Sequence, residues 1–434
     1  MGRRRGWIYA LLLALVTINY MDRVALSVAA KSIAGEFHLS PVQMGYLFSS
    51  FLWTYVICLL PVGILIDRYG PRAINSFGIA LWSLAIASTG AAWNFVSLLS
   101  TRLAMGVGEA TSIPGCGRIV REWMPARERG FASTIYSAGS FVGPAVGAVL
   151  VGSVSAVWGW RASFVLLGAL GFVWLACNLI WYDRPERVRW LSEEERRKII
   201  AERGATPDER NDERGNAGVV LHLLKQPSIW GIGLSQGCAV YSVYLLLFWL
   251  PSYLQAAKHL NIMETGLFTA IPWACAAPLS IGWGFLSDRL LDHQQILTGQ
   301  RRLMVVASLL CGAILLTLPF ASNIWLILAI IAIALGGLST TLALNSALVT
   351  DLVHKPSDVG KAVSMIVLGG NAFGVVAPIV TGYVVQGFGS YDWAFVIAGI
   401  LLLIGAVLSF TMTRRVIVFA DAPRGGVSPR LERA

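Results

Sequence analysis

The sequence predicts an all-α polytopic membrane protein with twelve transmembrane helices in two six-helix bundles and both termini in the cytoplasm. Of its 434 residues, 56% are hydrophobic and only 13% are charged, whereas charged residues make up about 25% of an ordinary soluble protein. The apolar residues also fall into twelve separate stretches, each close to the ~20 residues that a bilayer-spanning helix needs. The two halves of the chain repeat each other's motifs, which indicates an internal duplication.

The apolar stretches follow one another in two groups of six, separated by a polar segment. The first group covers 8–30, 43–66, 73–93, 95–117, 130–153 and 161–182, and the second covers 228–256, 264–287, 303–321, 323–350, 361–385 and 391–413. We therefore expect an N-terminal bundle over 1–182, a cytoplasmic linker over 183–227, a C-terminal bundle over 228–413 and a cytoplasmic tail over 414–434.

The basic residues predict the orientation of these spans. With both termini inside, the cytoplasmic segments hold 29 of the 34 Lys and Arg residues, as the positive-inside rule requires. This distribution explains the net charge of +10 without a nucleic-acid partner. Within the linker, the run Leu191–Arg197 (Leu-Ser-Glu-Glu-Glu-Arg-Arg) is typical of a capped amphipathic helix.

Three pairs of motifs recur at similar offsets in the two halves. Asp67-Arg68 recurs as Asp288-Arg289, the Gly130 region recurs around Gly360, and Trp160 near the start of span 6 is matched by Trp393. In span 5, Gly139, Gly143 and Gly147 recur every four residues and predict a close approach to another helix.

Four runs of residues resemble a known family. The stretch Gly63–Arg72 (Gly-Ile-Leu-Ile-Asp-Arg-Tyr-Gly-Pro-Arg) resembles the signature loop of the major facilitator superfamily. Within that superfamily, Ile18–Arg23, Arg102–Ala110 and Phe248–Leu254 resemble segments of the anion:cation symporter family. The resemblance covers nearly the whole chain.

The resemblance implies a secondary transporter of small organic anions, most often driven by protons, in the inner membrane of a bacterium. It implies an organic acid, a proton and the lipid bilayer as partners, and we expect a monomer. It does not name the substrate: members that carry sugar acids often have an amide in span 5, near the position where this chain reads Tyr136–Ser140 (Tyr-Ser-Ala-Gly-Ser).

Four ionisable residues lie deep in the first-half spans, where each charge costs ~2.5 to 3.5 kcal/mol unless it is paired or hydrated. Arg23 and Arg102 are predicted to bind the substrate carboxylate, because a guanidinium grips a carboxylate with two parallel hydrogen bonds. Glu109, two helical turns from Arg102, and Asp22 are predicted to carry the coupled proton. The alternative for each of the four is a structural ion pair that assembles the bundle.

Aromatic and amide side chains could complete a binding cavity. Tyr55, Tyr20, Trp249 and Asn371 are predicted to contact substrate, and Asn345 is a further amide candidate. For most aromatics in a membrane span, packing or a place in the interfacial belt is the competing interpretation.

The signature loop predicts a gate rather than a binding site. Asp67, Arg68 and Arg72 lie at the inner end of span 2, and Asp288 and Arg289 repeat them after span 8. Asp67 is expected to meet the positive N-terminal dipole of a second-half helix when the inner side closes. A solvent-exposed salt bridge is the alternative.

The alternatives to proton-coupled transport are an enzyme, an exchanger or exporter, and a receptor. An enzyme is not expected, because all five histidines fall in loops or at their edges and the cysteines show no metal-ligand spacing. No metal or cofactor is predicted. An anion exchanger or exporter without proton coupling stays open, as does a membrane receptor on the same scaffold.

Overall fold

The structure is a computed structural model that describes residues 5–188, 190–203, 216–290, 295, 299–353, 356–414 and 417. The chain folds into helices, as predicted. In the first half these are α1 (Arg5–Val28), α2 (Ala30–Phe37), α3 (Pro41–Tyr69), α4 (Pro71–Thr89), α5 (Phe95–Glu109), α6 (Ser112–Trp123), α7 (Arg129–Trp158) and α8 (Trp160–Trp181). The others are α9 (Glu193–Glu202), α10 (Asn216–Leu224), α11 (Pro227–Ala257), α12 (Ile262–Leu290), α13 (Arg301–Gly312), α14 (Ile324–Leu352), α15 (Pro356–Phe388) and α16 (Asp392–Met412).

Within the described residues, ten helical segments are long and apolar enough to cross a membrane. The two remaining predicted spans, 73–93 and 95–117, coincide with α4 and with the pair α5 and α6. The fourth span differs from its prediction in two ways. It is interrupted at Ala110 and Thr111, and its second piece continues to Trp123 rather than ending at 117.

Contacts divide the chain into two compact units, each described by itself. The first comprises Met1–Pro207, Leu247–Ala274 and Pro378–Gln386, and the second comprises Asp208–Leu246, Cys275–Ala377 and Gly387–Ala434. These boundaries pass through α11, α12 and α15. The division into two six-helix bundles, with a linker over 183–227 and a tail from 414, stays a prediction.

The first unit holds α1 against α7 through the predicted glycine ladder. A Cβ at Gly139 would lie 2.8 Å from Thr17 N, one at Gly143 2.5 Å from Tyr20 Cβ, and one at Gly147 2.8 Å from Met21 Cα. No side chain larger than hydrogen fits at these distances. The backbone of α1 is thereby fixed beside α7, just before the ionisable residues of α1.

Polar side chains tie the helices of the second unit to α14. Thr341 and Ser308 of α13 lie 2.8 Å apart through their hydroxyls, and Thr340 donates to Ser280 of α12 at 3.5 Å. At the end of α14, Asp351 accepts from Arg301 Nε at 2.8 Å. The helix α14 is therefore held at several levels by hydrogen bonds to its neighbours.

The linker helix forms where its sequence predicts it. Ser192 is the N-cap of α9, and its hydroxyl accepts from Glu195 N at 3.3 Å. Three glutamates in the first turn, Glu193, Glu194 and Glu195, suit the positive end of the helix dipole. The short capped helix is thus stabilised by its own first turn.

Candidate functional site

The first unit contains a fully buried ion pair between α1 and α5. Arg23 Nε donates to Glu109 Oε2 at 2.9 Å, and Arg23 Nη2 lies 2.9 Å from the same oxygen. The exposed fraction is 3% for Arg23 and 0% for Glu109, so this is a charge pair in the interior of the protein. Breaking such a pair from one side leaves an uncompensated buried charge, which is strongly unfavourable.

Arg102 and Asp22 complete a cluster of four ionisable groups. Both are 1% exposed, and the two interact electrostatically with each other and with Glu109 and Arg23. Arg102 Nη1 lies 3.0 Å from the Met105 sulfur, a weak acceptor. With both acids ionised, two guanidinium groups balance two carboxylates, and the cluster is formally neutral.

Several polar atoms of this cluster have no hydrogen-bond partner among the described residues. They are Arg102 Nε and Nη2, Glu109 Oε1 and Asp22 Oδ1. Buried polar groups are nearly always hydrogen-bonded to protein, water or ligand. The arrangement therefore retains donors and acceptors for a polar ligand or for a proton.

Aromatic rings surround the Arg23 guanidinium. Its carbon lies 4.7 Å from the centroid of Tyr20, 5.1 Å from that of Phe51 and 5.4 Å from that of Tyr55. Arg102 contacts the same Phe51 ring at 5.1 Å. The cluster therefore contains six predicted site residues, and Phe51, which the sequence did not single out, lies against both guanidiniums.

The remaining predicted substrate residues are Trp249 and Asn371. Trp249 packs edge-on to Phe48 at 5.1 Å, and its indole donates to Pro378 O at 3.1 Å, so its only donor is already used. Asn371, on α15, belongs to the second unit and is partly exposed. Asn345 is fully buried on α14, with its amide bonded to Gln236 of α11 at 3.0 Å.

The predicted gate residues lie at the ends of their helices. Asp67 accepts from Arg118 of α6 at 3.3 Å, and Arg72 pairs with Asp183. Arg68 lies over the Tyr69 ring at 5.3 Å. In the second half, Arg289 is exposed at the end of α12, and the side chain of Asp288 lies outside the described residues.

The sequence prediction missed a polar group at the inner end of α6. Glu122 is 6% exposed and pairs with Arg118 at 3.3 Å and Arg184 at 3.8 Å. Burial raises the pKa of Tyr182 well above its usual range, and the adjacent Glu122 raises it further. The Tyr182 phenol therefore stays protonated and donates to Glu122 at 3.4 Å.

Asn19 was missed in the cluster itself. It is 1% exposed, lies one turn before Arg23 and interacts with the Glu109 carboxylate, yet neither of its amide atoms has a hydrogen bond of good geometry in the described part of the chain. A lone amide in an otherwise apolar stretch, four residues before a charged one, was the signal that could have identified it.

Comparison with known proteins agrees with this arrangement of helices. The family model of the Major Facilitator Superfamily matches residues 12–300 and 295–430. A probable galactarate/D-glucarate transporter of Escherichia coli (strain K12) is 31% identical over 420 residues, 94% of each chain. A probable sulfoacetate transporter of Cupriavidus necator is 30% identical over 430 residues, 98% of this chain and 97% of its own.

A solved structure shows the same fold at lower identity. It is a bacterial homolog of the human lysosomal transporter Spinster, solved in an inward-facing, unoccupied conformation, with a TM-score of 0.75 and 20% identity over 97% of this chain and 100% of its own. The sequence predicts twelve spans and a protein that is not an enzyme. Both predictions agree with a family of membrane transporters. This chain belongs to the major facilitator superfamily.

Proposed function

We propose that this protein is a secondary active transporter that moves a small carboxylate anion together with protons by alternating access. The observation that supports this most directly is the buried Arg23–Glu109 ion pair with Arg102 in the same cluster. The Nε and Nη2 atoms of Arg102 have no hydrogen-bond partner among the described residues. Intramembrane charges generally mark a substrate or ion pathway. This cluster contains both positively and negatively charged side chains.

The charge balance explains why protons would accompany the anion. Because the four groups are neutral together when both acids are ionised, an added carboxylate leaves the buried cluster with a net negative charge. Uptake of a proton by Glu109 or Asp22 restores neutrality. A protonated Glu109 also no longer neutralises Arg23, so that guanidinium becomes available to the substrate carboxylate.

The relatives suggest the kind of acid. They are named as transporters of galactarate or D-glucarate, of L-galactonate and of sulfoacetate. These are small, highly polar acids, each with at least one carboxylate. We infer a substrate of this class, in the cytoplasmic membrane of a bacterium, with Tyr20 and Tyr55 supplying hydroxyls near the Arg23 guanidinium.

At the inner surface, we propose that Asp67 and Arg68 take part in gating. Asp67 is half-exposed, and in the described part of the chain its ion pair is the 3.3 Å contact to Arg118, an interaction that costs little to exchange for another partner. That weak attachment suits a residue that changes partners during transport.

The test is uptake of radiolabelled D-glucarate, L-galactonate and sulfoacetate, each measured separately, by proteoliposomes with an acidic exterior. We expect accumulation that a protonophore abolishes. Arg102→Ala should raise the half-saturating concentration at least ~30-fold, because truncating one partner of a buried charge pair costs ~2 to 5 kcal/mol. Arg127→Ala, at an arginine that is 76% exposed, is the matched control and should resemble wild type.

Three results would contradict the proposal. Failure of the wild type to carry any of the three acid types would refute organic-anion transport. Accumulation that ignores the pH gradient would leave exchange without proton coupling as the function. A folded Arg102→Ala protein with normal affinity would exclude Arg102 from the binding site.

A further inference from the structure

Two helix ends that are predicted to be cytoplasmic, the start of α13 and the end of α16, meet within the second unit. A Cβ at Gly299, two residues before α13, would lie 3.9 Å from Thr413 O, directly after α16. Arg302 lies in the first turn of α13, and Arg414 lies two residues beyond the end of α16. Their guanidinium groups interact electrostatically. Because like charges repel, this pair is unfavourable without an anion beside it.

Neither arginine has an acidic partner among the described residues. Asp351, at the end of α14, is paired with the adjacent Arg301 at 2.8 Å. Arg302 Nε is buried and has no hydrogen-bond partner in the part of the chain that the structure describes. Arg414 Nε donates to Phe410 O at 3.2 Å, and its guanidinium lies 5.0 Å from the centroid of the Phe410 ring. These contacts hold the guanidinium on its own helix but do not neutralise its charge.

The first turn of α13 adds to the positive potential of this region. It contains Arg301 and Arg302 and no acidic residue, and its N-cap Gln300 makes no side-chain capping hydrogen bond. The N-terminus of a helix carries partial positive charge and favours an anion. The two arginines and the helix end therefore favour the same kind of ligand.

The exposed face of α16 indicates where that anion comes from. Its exposed apolar side chains form one stripe with helical spacing, Ile400, Leu403, Ile404, Val407 and Phe410, and Arg414 continues the stripe by one turn. On a membrane-spanning helix such a stripe suits acyl chains, and a basic residue at its end reaches the headgroup region. Basic pockets between helices on the cytoplasmic side are typical binding sites for phospholipid headgroups.

We propose that Arg302 and Arg414 together bind the phosphate of an anionic phospholipid of the inner leaflet, whose acyl chains lie along the apolar stripe of α16. The phosphate oxygens accept hydrogen bonds from both guanidinium groups, and the negative charge offsets their repulsion. The lipid thereby holds the inner ends of α13 and α16 together. The inference does not depend on the transport function proposed above.

The experiment measures, by native mass spectrometry, the dissociation constant of the most tightly bound phosphatidylglycerol on the purified full-length protein in detergent. Arg302→Gln and Arg414→Gln should each raise this constant at least ~5-fold, the contribution of one basic side chain to attraction of an anionic lipid surface. Arg302→Lys keeps the charge and should retain part of the affinity. Melting temperatures without lipid report whether each variant is folded, and the two glutamine variants test the site separately.

Arg197→Gln is the control. It removes the same charge from an arginine of α9 whose side chain is 81% exposed, and it should bind phosphatidylglycerol as the wild type does. Phosphatidylcholine should bind more weakly than phosphatidylglycerol, because its choline group balances the phosphate charge. Inorganic phosphate in excess should not displace the lipid, because it has no acyl chains to contact α16.

Four results would overturn the inference. The first is a dissociation constant that is unchanged in both glutamine variants, and the second is an equal rise in Arg197→Gln. The third is equal binding of the two lipids by the wild type, which would mean that the charge of the lipid is not recognised. The fourth is displacement by inorganic phosphate, which would assign the two arginines to a free anion. Each of these leaves the proposed transport function standing, because lipid binding is measured without transport.

Discussion

At the residue scale, the cost of burying charge is what made the central cluster predictable. Arg23, Arg102, Asp22 and Glu109 are conspicuous in apolar stretches, and the structure brings all four together within the first unit. What the sequence could not predict is the pairing. Arg23 and Glu109 are 86 positions apart, and which acid meets which base depends on the rotation of α1 and α5 about their axes.

The Arg23–Glu109 pair leads to a prediction about coupling. Glu109→Gln mimics a permanently protonated acid, so the variant should still exchange substrate in counterflow, where no net proton movement is needed. It should lose accumulation driven by a pH gradient. Paired liposome assays of both kinds measure this, and Asn19→Leu, one turn from Arg23, serves as a comparison that alters the cluster without removing an acid.

Asp22→Asn in the same two assays shows whether one acid couples or both do, since interacting sites titrate together. If Glu109→Gln accumulates substrate under a pH gradient as wild type does, Glu109 is structural and the proton follows another route.

At the element scale, apolar length located the helices but not their interruptions. The stop at Ala110 and Thr111 coincides with a polar stretch and lies just before Pro114 in the first turn of α6, a local signal that the span prediction did not use, and α2 extends the first span beyond Val28. The glycine ladder of α7 was visible as a four-residue repeat. Its partner α1 was not, because any neighbouring helix could have filled the groove.

The glycine ladder predicts different effects for two glycine-to-alanine substitutions in α7. Gly143→Ala would place a Cβ 2.5 Å from Tyr20 Cβ and 2.6 Å from Thr17 O, so α1 must move. Overpacking of this kind costs ~1 to 3 kcal/mol, and we expect a lower melting temperature and weaker substrate affinity. Gly130→Ala, on the same helix with nothing within 4 Å, should change neither. Equal melting temperatures for the two variants would contradict the close α1–α7 packing.

At the scale of the whole molecule, the exposed tryptophans agree with the predicted ends of the spans, while the basic residues predict the orientation. Trp7, Trp181 and Trp230 are exposed at helix ends predicted to be cytoplasmic, and Trp93, Trp158, Trp325 and Trp393 at ends predicted to face outward. Indole side chains favour the two membrane interfaces, and Lys and Arg favour the inner side. The division into compact units, by contrast, could not be read from the sequence, because it depends on which helix ends are packed together.

This orientation makes a prediction that labelling can test. In a cysteine-free background, Ala91→Cys lies in the exposed turn between α4 and α5, and Glu194→Cys lies on the exposed side of α9. A membrane-impermeant maleimide applied to intact cells should label the first and not the second, whereas opened membranes should allow both to react. Because 29 of the 34 basic residues would then be on the outer side, the reverse pattern would contradict the predicted topology.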